Sequence, residues 1–225
     1  MTISRKRNPI NNIYFLHGNR LEQVCEVKYL GITISHDLKW NSHIEAACSR
    51  ARGVLSFLGR NLKIANTKTK ELAYFALVRP HVEYCSTVWD PYTKKMCNRV
   101  EMVQRRAARF VSNKFGRGHY KDSVTEMLNN LKWVPLSERR KQFRLSMLYK
   151  VHNRLIPITF GNALQTQTST NNGEQNEIKF IVPRSNTIAH RNSFLPRTIL
   201  EWNSLPYGVV QQPSLNSFKM ALHTN

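Results

Sequence analysis

Between Met96 and Val111 the apolar residues recur at helical spacing, as Met96, Val100, Val103, Ala107, Phe110 and Val111. At about 100° per residue they fall on one stripe. Lys94, Lys95, Arg99, Arg105, Arg106 and Arg109 project from the other side, with Glu101 at its edge. The pattern predicts a long helix from about residue 93 to 113, begun after an Asp90-Pro91 turn and seated on a core. Six cations on the outer face exceed what solubility requires.

A second stripe runs through Ile44, Ala47, Cys48, Ala51, Val54, Leu55, Leu58 and Leu62. Ser42 and Glu45, three apart, read as a capping box that starts this helix. Arg60 lies opposite the stripe, and Arg50 and Arg52 flank it. With the six cations of the later helix, these three arginines are the candidate phosphate contacts.

Charge limits the partner. The chain carries 34 Lys and Arg against 14 Asp and Glu, a formal net charge of +20. A folded chain so basic repels itself until a polyanion supplies counter-charge, and nucleic acid is the commonest such polyanion. With 41% hydrophobic residues it can bury a core. No apolar run approaches the roughly 18 residues a bilayer span needs, and the basic start is too polar for a signal peptide. The expectation is an intracellular protein with no membrane partner. Arg5-Lys6-Arg7 is a short nuclear-import-like patch, so nucleus and cytoplasm both stay open.

Other segments give a mainly α chain with small β parts. Residues 13–16 and 21–34 read as a β-hairpin and a further strand around His17-Gly18-Asn19-Arg20. From Thr67 to Arg79 the residues are apolar nearly all round, which predicts central burial until Pro80 kinks or ends the helix. Residues 81–89 read as a second apolar helical piece. Ser123 and Glu126 cap a short helix ending near Leu131. A helix from Ser137 is expected to bury Phe143, Met147, Leu148 and Val151. Arg140 and Arg144 fall in its apolar arc and must snorkel or pair, whereas Arg139 and Lys141 lie outside it. Residues 161–177 read as a polar linker. A strand at 178–182, a helix near 197–202 and a last helix from about Ser214 complete the chain.

The chemistry is that of a binder. Cys25, Cys48, Cys85 and Cys97 form no CxxC pair and read as reduced core residues. His81 and Cys85 are one helical turn apart, with Cys97 and His119 downstream, but the spacing fits no zinc pattern and core packing explains them better. No GxSxG or GxxxxGK[ST] element occurs. Asp37, Asp90 and Asp122, the only aspartates, are far apart, whereas two-metal phosphoryl transfer needs gathered carboxylates. Trp40, Trp89, Trp133 and Trp202 offer stacking faces, with core burial the expectation for each.

Five motifs in register add a resemblance. Lys28-Tyr29-Leu30-Gly31-Ile32 with Leu38-Lys39-Trp40 and His43-Ile44 comes first, then Leu77-Val78-Arg79-Pro80-His81-Val82-Glu83-Tyr84-Cys85 with Val88-Trp89. Val103-Gln104-Arg105-Arg106-Ala107-Ala108-Arg109-Phe110 follows. Leu131 to Leu136 with Arg139-Arg140, and Trp202-Asn203-Ser204-Leu205-Pro206, close the series. Together they resemble the end of the reverse transcriptase of non-LTR (LINE-like, Jockey-type) retrotransposons, across almost the whole chain.

That resemblance implies a palm remnant at 1–37, with Tyr29, Leu30 and Gly31 as a primer-grip-like turn, and a helical thumb-like bundle at 38–114. A helical carboxyl-terminal extension at 115–160, the linker at 161–177 and a small α+β segment at 178–225 would follow. The partners it implies are an RNA–DNA or DNA duplex and the palm and fingers of the parent polymerase. The family's [FY]xDD hairpin is missing here, so Mg²⁺ would belong to the palm; the expectation is no cofactor, no metal and no polymerisation by this chain alone. The family's Cys/His knuckle is missing as well. Alternative readings are a domesticated nucleic-acid-binding host protein, a scaffold docking a protein through the apolar Leu72–Trp89 region, and an unrecognised hydrolase.

Overall fold

Two tight turns shape the amino-terminal part. His17-Gly18 and Leu30-Gly31 all have positive φ, the backbone that two-residue antiparallel hairpins require. β1 (Phe15–Leu16) and β2 (Asn19–Arg20) flank the first turn, and β3 (Glu26–Tyr29) and β4 (Ile32–Ser35) the second. The stretch read as a single strand after the first hairpin is thus a second hairpin, because only the glycine at 31 allows so sharp a reversal there. This computed structural model describes residues 1–4, 12–113, 123–167 and 179–224. The fold is mainly helical, as expected. It divides into two compact units, Met1–Cys85 with Pro91–Leu136, and Ser86–Asp90 with Ser137–Asn225.

In the first unit, α1 (Asn41–Asn61) follows β4. The capping box expected from Ser42 and Glu45 does not form. Ser42 donates instead to the Glu26 carboxylate, and Glu45 faces Arg99 at 3.5 Å. Both side chains have found more distant partners than the helix end. α2 (Thr67–Ala73) is capped by Asn66, whose side chain accepts from the Thr69 amide at 2.8 Å.

The helix then widens into a π-turn, Tyr74–Val78, and tightens into a 3₁₀ turn, Arg79–Val82. Pro80 has no amide to continue an α ladder, and the Arg79 amide reaches back five residues to the Tyr74 carbonyl. Central burial of this stretch is therefore corrected. Lys70, Tyr74, Val78 and Val82 point inward, while Leu72 and Leu77 are exposed, Leu72 at 68%. The chain turns at Cys85, φ +49°.

α3 (Ser86–Trp89) belongs to the second unit. In the first, α4 (Lys94–Val111) packs against α1 and α2. Every residue of its predicted inner stripe is buried, and Ala47, Cys48 and Ala51 let α1 come close. Each buried Val, Leu or Phe contributes about 1.5–3 kcal/mol. α5 (Val124–Asn130) carries the capping box expected of Ser123 and Glu126. Trp133 stacks on Tyr74 with centroids 4.4 Å apart and donates to Glu71 at 2.7 Å.

α6 (Leu136–His152), α7 (Ile188–Arg191), α8 (Phe194–Asn203), α9 (Tyr207–Val210) and α10 (Leu215–Thr224) follow. The second unit's core gathers Leu145, Leu148, Tyr149, Phe180, Ile199, Trp202, Val209, Val210 and Phe218. Leu148 and Val151 are buried as expected, whereas Phe143 and Met147 are only half-buried. The inward face of α6 carries Arg140, Arg144 and Leu145, and the two arginines are ion-paired there. Asp90 contacts Arg140 at 2.6 Å, Arg197 at 3.2 Å and also Arg144, and Arg144 bridges to Glu201 at 2.7 Å. Arg140 and Arg144 are each 1% exposed. Desolvation pulls the Arg144 pKa down, and Glu201 opposes it.

Residue 178 of the strand expected at 178–182 lies outside the described residues, and over 179–182 the strand is reduced to a Thr166–Phe180 bridge. The Asn203 side-chain amide takes the place of a neighbouring strand. It accepts from the Phe180 amide at 3.0 Å and donates to its carbonyl at 2.8 Å. Of the expected linker, Gly161–Ala163 forms a 3₁₀ turn, and residues 168–177 lie outside the described residues.

Candidate nucleic-acid interface

The outer surface of α4 is set by its buried stripe. Lys94, Arg105, Arg109, Lys95, Arg106 and Arg99 follow one another around about 140° of the helix. Lys94, Lys95, Arg105 and Arg106 are exposed, and Arg99 and Arg109 half-buried. Met102 lies within the same arc and is exposed. Glu101, at the edge, accepts from the Leu136 amide at 3.2 Å. Gln104, on the buried side, donates to the Val134 carbonyl at 3.0 Å. These two bonds fix the rotation of α4 about its axis and hence where its cations point.

The three arginines of α1 do not share one face. Arg50 and Arg60 are exposed and Arg52 half-buried, and at helical spacing they are spread over about 160°. His43, at the start of α1, is buried and accepts from the Thr33 amide through Nδ1 at 3.2 Å. Burial, then the Arg50 charge, holds its pKa below the ordinary histidine value.

Tyr29, Leu30 and Gly31 stand at the tip of the second hairpin. All three are exposed, and Tyr84 braces the turn from the first unit's helical part. β1, β2 and β3 expose all their residues, among them Phe15, Leu16, Val27 and Tyr29.

Sequence reasoning missed Lys70. Its side chain is 2% exposed. Its ammonium donates to the Lys63 carbonyl at 3.1 Å and to the Asn113 side chain, and lies 5.6 Å from the Phe110 ring centre. Lys70 lines a cavity of about 470 Å³ with Ser56, Gly59, Lys63, Phe110 and Asn113. The carbonyl ends of α1 and α4 supply negative potential there. Only its position one turn before Tyr74 could have signalled this.

Other candidates are placed as follows. Asp37 bonds to Ser35 and Lys39. Burial works to raise its pKa, but the Lys39 and Ser35 hydrogen bonds prevail and hold it well below the carboxylate range. Asp90 sits among arginines, and Asp122 and His119 lie outside the described residues. Cys48 is buried and Cys97, half-buried, donates to the Pro91 carbonyl at 3.2 Å. Cys25 and Cys85 are exposed, correcting their expected place in the core; Cys25 immediately precedes β3 and Cys85 sits at the turn before α3. Trp89, Trp133 and Trp202 are buried; Trp40, at the start of α1, is half-buried. Lys141 faces Glu138 at 3.8 Å, and Arg139 lies 5.5 Å from the Phe143 ring centre.

Among the described residues no group of three or more His, Cys, Asp or Glu could hold a metal, and no helix is long and apolar enough to cross a membrane. No family model matches the chain. No solved structure matches it either. Over 109 residues, 47% of its length, the chain is 28% identical to the probable RNA-directed DNA polymerase from transposon BS of Drosophila melanogaster, of whose length the match spans 12%.

Proposed function

We propose that this chain is the thumb and carboxyl-terminal region of an RNA-directed DNA polymerase of a non-LTR mobile element, and that α4 grips template–primer duplex through phosphates. The observation that carries this reading is the α4 face, six cations in one arc above a wholly buried stripe. Similarity over 47% of the chain to a transposon RNA-directed DNA polymerase supports that parentage. Grip on backbone and shape suits an enzyme that must copy any sequence.

In this reading residues 1–37 are a palm remnant, 38–114 the thumb, 115–160 the extension, 161–177 a linker and 178–225 a terminal segment. The uncovered apolar side chains of both hairpins, Phe15, Leu16, Val27, Tyr29 and Leu30, are where the body of the polymerase packs. Mg²⁺ belongs to that body. Asp37 and Asp90 are held by lysine and arginine partners in different units, so no metal-dependent step is assigned to them.

A mobility-shift titration of the full chain with a 20-base-pair RNA–DNA hybrid tests the reading. Binding regardless of sequence, and no primer extension with Mg²⁺, is expected. Failure to shift the hybrid, or nucleotide incorporation, contradicts it. A second reading, a scaffold that docks a protein, is favoured by the exposed Leu72, Leu77 and Tyr84. Capture of a protein that resists high salt, with no hybrid shift, would select it.

A further inference from the structure

α1 and α4 run parallel and in register. Glu45 meets Arg99 at 3.5 Å, and farther along Ser56 and Gly59 line one cavity with Phe110 and Asn113. Among the cavity's lining residues, Ser56 with Phe110 and Gly59 with Asn113 share the sequence offset that separates Glu45 from Arg99. Seven residues beyond Glu45 is Arg52, and seven beyond Arg99 is Arg106. Seven residues are two helical turns, about 10 Å, and return nearly to the same side of a helix. That offset sets Arg52 level with Arg106, on the sides of α1 and α4 that carry Glu45 and Arg99, between the ion pair and the cavity.

Where the groove holds a carboxylate against a guanidinium at one level, it holds two guanidiniums at the next. Arg52 is half-buried and Arg106 exposed, and neither has a carboxylate partner among the described residues. Like charges so placed repel, and an oxyanion between them removes the repulsion while accepting hydrogen bonds from both. Lys63, exposed and lining the cavity beyond, adds a further cation at that end of the groove.

We infer that the α1–α4 groove seats one backbone phosphate of the bound nucleic acid between Arg52 and Arg106. This rests on the nucleic-acid reading above and adds to it a shared site that the α4 face alone does not contain. The phosphate is that of a polymer strand, since the arc of α4 continues the cationic surface on one side and the cavity on the other.

The test uses the full chain and the RNA–DNA hybrid, read by fluorescence anisotropy at several salt concentrations. Arg52→Ala and Arg106→Ala each weaken binding about tenfold. Each lowers the log–log salt slope by about 0.7–0.9, and the double variant lowers it no further, because the same single phosphate is released in all three. Arg52→Glu places a carboxylate opposite Arg106, as Glu45 stands opposite Arg99. It keeps or raises Tm while weakening binding at least as much as Arg52→Ala.

Additive losses from the two alanine variants, or unchanged affinity of Arg52→Glu, overturn the shared site. The α4 reading survives that result if Arg105→Ala with Arg109→Ala still weakens binding. No binding by the unaltered chain overturns both. Inorganic phosphate at constant ionic strength leaves the Tm difference between the unaltered chain and Arg52→Glu unchanged; a rise confined to the unaltered chain reassigns the groove to free phosphate.

Discussion

The Tyr84 hydroxyl donates a hydrogen bond of 3.0 Å to the carbonyl of Leu30, 54 residues earlier in the chain. Its ring lies 3.4 Å from where a β-carbon on Gly31 would stand. Two motifs separated in sequence, Lys28 to Ile32 and Leu77 to Cys85, thus meet at one turn. Gly31 is needed there for its φ of +82°, while a β-carbon would meet the ring at ordinary van der Waals distance. Gly31→Ala should lower stability by about 1–2 kcal/mol, and Tyr84→Phe, which removes the bond to Leu30, should lower it as well, both measured by urea unfolding. A neutral Gly31→Ala would mean the turn is not held in this shape.

Asp90 is the carboxylate on which Arg140, Arg144 and Arg197 converge. Its removal takes away the carboxylate that the buried Arg140 and Arg144 share, and leaves Glu201 as the counter-charge of Arg144. Asp90→Ala is expected to cost about 3–5 kcal/mol. An isosteric Asp90→Asn, which keeps the shape and removes the charge, should also destabilise. Equal Tm for Asp90→Asn and the unaltered chain would show that charge is not what holds this cluster.

His43 and His152 both have pKa values lowered below 6.5, the first by burial and then Arg50, the second by burial. A histidine with a depressed folded pKa binds fewer protons folded than unfolded. Its contribution is fully present above pH 6.5 and is lost as pH falls through that value toward the folded pKa. Protonation of His43 also breaks the bond from the Thr33 amide. Stability should be level above about pH 7.5 and fall toward pH 5. His43→Gln, which keeps an acceptor without titrating, should flatten part of that fall; an unchanged pH profile would show that His43 has no part in it.

Elements governed by local periodicity could be read directly. The inner stripe of α4 and the Ser123–Glu126 box depend on residues three or four apart, and both stand as expected. Arg140 and Arg144 in an apolar arc had to snorkel or pair, and which of the two could not be read, because their acceptor Asp90 is some 50 residues away and carries no local signal. Tertiary competition defeated the Ser42–Glu45 box, since Glu26 and Arg99 took its two members. The π-turn before Pro80 turned Leu72 and Leu77 outward. Of the candidate interface, the cations of α4 were legible from spacing, whereas the register that sets Arg52 against Arg106 needed the packed helices.

The most direct measurement is the salt dependence of hybrid binding by the full chain and by Arg105→Ala, Arg106→Ala, Arg109→Ala combined. The expected result is an unchanged fold, weaker binding, and a log–log slope smaller by about 0.7–0.9 for each phosphate that is no longer neutralised. An identical affinity and slope for the two proteins would contradict the claim that α4 lies along phosphates.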